Sequence, residues 1–77
     1  RVELVDEPAG RTLLLEQTDA ANRVVWNPWI AKSAAMPDFG DEEWTGMCCV
    51  ETANCLEDRI RLEPGARHKM TLRISVA

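Results

Sequence analysis

Near the C-terminus Met70, Leu72, Ile74 and Val76 alternate with Lys69, Thr71, Arg73 and Ser75. A period of two is the mark of a strand with one buried face, so residues 68–76 are predicted as a strand. Residues 2–5 and 12–17 are two more. Asp6-Glu7-Pro8-Ala9-Gly10-Arg11 lies between them, and its Pro and Gly make the pair an antiparallel hairpin. Arg23-Val24-Val25-Trp26 is short, β-branched and aromatic, which favours strand. Residues 47–53, Met-Cys-Cys-Val-Glu-Thr-Ala, form the strongest strand signal, and residues 58–62 read as another. In Leu62-Glu63-Pro64-Gly65, Pro at i+1 and Gly at i+2 predict a type II turn.

Asn27-Pro28 breaks the strand pattern. Asn is a favoured N-cap, and Pro at the first helical position loses no hydrogen bond. A two-turn helix is predicted over 28–35, ended by Met36-Pro37-Asp38-Phe39-Gly40. Residues 41–44 can make one further turn, capped by Asp41. Six strands and one helical insertion give an all-β fold: an antiparallel β-sandwich, or part of one.

Seventy-seven residues allow at most one small domain, marginal without disulfides, a metal or a partner. The chain starts at Arg1 and enters a strand-like run at once, so a piece of a longer protein is expected. Its 45% apolar content excludes disorder as the default. The net charge of −4 argues against nucleic acid, which is bound through basic patches. No apolar run approaches the roughly 20 residues of a membrane span. Cys48, Cys49 and Cys55 match no zinc or redox spacing. Buried thiols in a reducing, cytoplasmic setting are expected. Asp38, Asp41, Glu42 and Glu43 crowd six positions, but the EF-hand pattern is missing. Charges at the start of a helical turn explain them more simply, and no metal site is expected.

Glu51 carries the most chemistry. A carboxylate within the apolar run Met47–Asn54 loses water, and desolvation raises its proton affinity toward that of a general base at neutral pH. The alternative is a solvent-facing residue on a half-exposed strand. Glu16 competes, but its polar downstream neighbours place it at a strand end. Trp26-Asn27-Pro28-Trp29 sets two indoles around a polar cap. Indole faces stack on sugar C–H faces, and an Asn amide can fix hydroxyls; the alternative is packing at the sandwich rim. His68 is the only histidine and reads as a strand-end residue.

Five segments stand in one order: Val25-Trp26-Asn27-Pro28-Trp29; Lys32; Asp38-Phe39-Gly40-Asp41-Glu42; Cys49-Val50-Glu51-Thr52-Ala53-Asn54; and Leu62-Glu63-Pro64-Gly65 with His68. Together they resemble the D-hexose-6-phosphate mutarotase family (glucose-6-phosphate 1-epimerase) of the aldose 1-epimerase, galactose mutarotase-like superfamily. The resemblance runs over residues 23–77 and is fainter over 1–22. It implies that residues 1–77 are a C-terminal segment of a larger β-sandwich domain. It implies Glu51 as general base, with a catalytic histidine far upstream of these residues, a role not transferred to His68. It further implies Trp26, Asn27 and Lys32 on a sugar or sugar phosphate, Lys32 near the 6-phosphate, and no cofactor. The segment alone is expected to be inactive, and to self-associate or to need the rest of its domain. A sugar-binding module without turnover is the other reading.

Overall fold

The computed structural model describes residues 1–77. Five strands form two antiparallel sheets, and one short helix is inserted between the two strands of the second. The first sheet contains β1 (Val2–Asp6), β2 (Arg11–Thr18) and β5 (Thr71–Val76), in the order β1-β2-β5. The second is a ribbon of β3 (Asn22–Trp26) and β4 (Cys49–Ala53). Between β3 and β4 lie α1 (Trp29–Ala35) and a 3₁₀ turn, Glu43–Gly46. This is the expected all-β architecture with one helical insertion.

The β1–β2 hairpin is set by its turn. Gly10 takes φ +64°, which costs a residue without Cβ little, and donates to the Glu7 carbonyl at 3.0 Å. Asp6 accepts from the Ala9 amide and pairs with Arg11 at 3.0 Å. The type II turn also forms as predicted. Gly65 stands at φ +84°, and Ala66 N–H donates to the Glu63 carbonyl at 2.9 Å.

Several boundaries and one element differ from expectation; α1 begins at Trp29 rather than at residue 28, with Pro28 and not Asn27 at its N-cap. Residues 58–62 are not a strand: a 3₁₀ turn, Leu56–Asp58, precedes residues without regular structure. No neighbouring strand runs beside them, and a lone strand cannot satisfy its backbone groups. β5 begins at Thr71 rather than at residue 68. Its partner β2 ends at Thr18, which pairs with Thr71, while His68 is drawn aside to the Asp19 carbonyl at 3.0 Å. β4 begins at Cys49 rather than 47, because Trp26, its last rung, faces Cys49. The turn expected at 41–44 forms instead as Glu43–Gly46, with no side-chain cap. Glu43 reaches back to accept from the Gly40 amide at 2.7 Å.

The register sorts the side chains of the larger sheet. Leu4 pairs with Leu13, Val2 with Leu15, Leu15 with Ile74, and Leu13 with Val76. Paired residues share a face, so one face is apolar across all three strands. Leu15 is buried. Leu72, Ile74 and Val76 on the same face remain 38%, 59% and 65% exposed. The period-two signal is thus correct about the face, and within this chain nothing covers its β5 end.

Candidate functional site

The β3–β4 ribbon brings the sequence candidates together. Val24 faces Glu51, Val25 faces Val50, and Trp26 faces Cys49. Side chains alternate between faces along a strand. Trp26, Val24, Cys49 and Glu51 therefore occupy one face, and Arg23, Val25, Val50 and Thr52 the other. Trp26 and Glu51 are diagonal neighbours, about 7–8 Å apart along the backbone and within reach of an indole and a long carboxylate. A ring lying on Trp26 would have Glu51 at its edge.

Glu51 is exposed, with no ion-pair partner among the chain's three salt bridges. The apolar run around it does not close over it here, because alternate residues of the run face the other side. Trp26 is 38% exposed. Lys32 is exposed in the last turn of α1, off the ribbon.

The side-chain amide of Asn27 is engaged by backbone groups. Its Nδ2 donates to the carbonyls of Trp44 and Met47, each at 2.8 Å. Its Oδ1 accepts from the Trp29 amide at 2.9 Å. Pro28, the next residue, is buried. Trp29 adopts φ +64°, a left-handed conformation costing a bulky residue on the order of 1–3 kcal/mol. The indole of Trp29 meets that of Trp44 with centroids 4.3 Å apart and planes tilted by 50°. Ser33, fully buried, donates to the Trp29 carbonyl at 2.6 Å.

His68 belongs to another cluster. Its Nε2 lies 3.0 Å from the Asp19 carbonyl and 3.3 Å from Asn54 Nδ2. Asn54 Oδ1 accepts from the Ala21 amide at 2.9 Å. The histidine thus ties the β2–β3 connection to the end of β4.

Two residues of the site region escaped the sequence reading. Cys49 shares the face of Glu51, and its signal was parity: two positions apart on a strand means one face. Trp44 is the partner of Trp29. No local spacing marks it, since 15 positions separate the two indoles.

A family model described as Aldose 1-epimerase matches residues 1–75, further toward the N-terminus than the sequence motifs reach. A Cenchrus ciliaris protein named "Putative glucose-6-phosphate 1-epimerase" is 36% identical over 75 residues, covering 97% of this chain and 22% of that protein. A Haemophilus influenzae protein of the same name is 35% identical over 51 residues, covering 66% of this chain and 18% of that protein. The chain spans about a fifth of the length of these relatives. No solved structure matches.

Proposed function

The chain belongs to the aldose 1-epimerase family, and from that premise we propose that it is the C-terminal segment of a glucose-6-phosphate 1-epimerase. The observation that carries this is the shared face of Trp26 and Glu51. An aromatic platform beside a carboxylate suits a sugar ring with its anomeric hydroxyl at the platform's edge.

In the proposed reaction Glu51 takes the proton from the C1 hydroxyl. An acid outside these residues protonates the ring oxygen, and the C1–O5 bond breaks to leave an aldehyde. Rotation about C1–C2 presents the other carbonyl face. Closure returns both protons and gives the other anomer. Each group acts once as acid and once as base. Lys32 offers a charge to the 6-phosphate. No step needs a redox change.

Anomer interconversion of glucose 6-phosphate tests this, followed by polarimetry and corrected for the spontaneous rate. In the full-length protein, Glu51→Gln keeps the shape but removes the base. A loss of about 10²–10⁴ in turnover is expected. Full activity in that variant would refute the assignment. The 77 residues alone are expected to add nothing to the background.

One observation favours a second reading, a sugar-binding module without turnover. The chain's single histidine is engaged with Asp19 and Asn54, so it does not stand beside Glu51 as the acid. A full-length protein that binds the sugar without speeding its interconversion would establish the module.

A further inference from the structure

We propose that Asn27 is a positioning residue rather than a sugar ligand: its side-chain amide is the clasp that closes the insertion between β3 and β4. Three bonds carry the inference. Nδ2 holds the carbonyls of Trp44 and Met47, and Oδ1 holds the Trp29 amide. An amide group offers two N–H donors and an acceptor oxygen, and every one of these groups is engaged by backbone. One side chain thereby fastens the exit of β3, the start of α1, the 3₁₀ turn and the lead-in to β4. These meet at the ribbon's end where Trp26 faces Cys49.

The backbone beyond Asn27 shows what the clasp maintains. Trp29 stands at φ +64°, a conformation a bulky residue leaves unless its surroundings hold it. The Asn27 bond to its amide is one restraint. The Ser33 hydroxyl on its carbonyl and the indole of Trp44, with centroids 4.3 Å apart, are the others, and the clasp fixes the Trp44 carbonyl as well. Release of Asn27 therefore lets Trp29 relax, parts the two indoles, and frees the turn that aims Trp26.

Circular dichroism of the full-length protein reads this directly, because two close indoles give an exciton couplet in the far ultraviolet. Trp29→Phe must abolish the couplet; a couplet that survives would sink the pairing. Asn27→Asp keeps the acceptor for the Trp29 amide but faces two carbonyls with a carboxylate that cannot donate. Its couplet is expected to be lost at neutral pH. Below about pH 4 the aspartate gains an O–H donor, and the couplet should return in part. Asn27→Ala should lose it at both pH values, and the wild-type chain should keep it. The wild type also controls for the other ionisable groups of the insertion, Lys32, Asp38, Asp41, Glu42, Glu43 and Cys48. An Asn27→Asp chain that keeps its couplet at neutral pH, or that responds to acid as Asn27→Ala does, overturns the clasp.

A kinetic arm rests on the function proposed above. In the full-length protein Asn27→Asp should raise KM on the order of tenfold, the worth of one or two hydrogen bonds, at near-constant kcat. Trp29→Phe, which loosens the same insertion with Asn27 intact, should raise it too; a KM raised by Asn27→Asp alone would make Asn27 a sugar ligand. A fall in kcat at unchanged KM would make Asn27 part of the chemistry instead. The couplet is independent of any activity, so failure of the epimerase reading leaves the spectroscopic test intact.

Discussion

Glu51 and Glu16 are both carboxylates on strands, and both are exposed. Their neighbours separate them. Glu51 shares a ribbon face with Trp26, whereas Glu16 stands across from Arg73 in the larger sheet. In the full-length protein Glu16→Gln should change turnover by less than about twofold. It removes an exposed charge that forms no salt bridge and no catalytic group, so a loss comparable to that of Glu51→Gln would transfer the base to Glu16. Glycines allow a similar contrast. A Cβ on Gly65 or Gly46 meets nothing within 4 Å, but only Gly65 has positive φ, at +84°. Gly65→Ala should cost about 1–2 kcal/mol. Gly46→Ala should stabilise by about 0.4–1 kcal/mol, through the unfolded chain alone. Denaturation midpoints in opposite directions check both. The sequence showed residue types well and their employment poorly. Glu51 and Trp26 were drawn together only by the family resemblance; their common face follows from the β3–β4 register, which neither segment contains. That Asn27 spends its amide on Trp44 and Met47 depends on where a long insertion returns, which no pattern around Asn27 contains.

The elements were legible wherever the physics is local. The hairpin follows from a turn that needs Gly10 at positive φ, and the type II turn from Pro64 and Gly65. The alternation in β5 identified its apolar face. What failed needed a partner to decide it. Residues 58–62 have strand composition but no neighbouring strand, and β5 starts only where β2 offers a rung. Side chains replace the missing ladder there. Asn22 accepts from the Cys55 amide at 2.9 Å and donates to Asp58, while Asn54 holds Ala21 and meets the Asp19 carbonyl and His68. These ties are separable. Asn54→Ala should speed hydrogen exchange at the Ala21 amide by about tenfold, the equivalent of one hydrogen bond. The Cys55 amide, held by Asn22, should keep its protection. Equal acceleration at both amides would mean that the two ties open as one unit.

At the scale of the whole molecule the chain is more open than its mass requires. Its radius of gyration is 15.8 Å, against about 11–12 Å for a compact domain of this length. It exposes 6227 Å², about 1,500 Å² more than a folded protein of its mass. That excess is nearly twice the roughly 800 Å² each partner contributes to a standard interface. Large apolar side chains are among what meets water, including Leu72, Ile74 and Val76 on the β5 end of the large sheet. β5 is also an edge strand, with one side of its backbone open to pairing. The isolated chain should therefore self-associate, with a Tm that rises with concentration. Ile74→Lys separates this from simple instability. Ile74 is 59% exposed, so a lysine there should leave the lone chain's fold intact and remove the concentration dependence. If the rest of a larger domain covers this face in the full-length protein, the same substitution buries an unpaired charge there. It should then cost about 3–5 kcal/mol. Concentration-independent, cooperative unfolding of a monomeric wild-type chain would refute self-association. Tolerance of Ile74→Lys in the full-length protein would show that the face stays open there too.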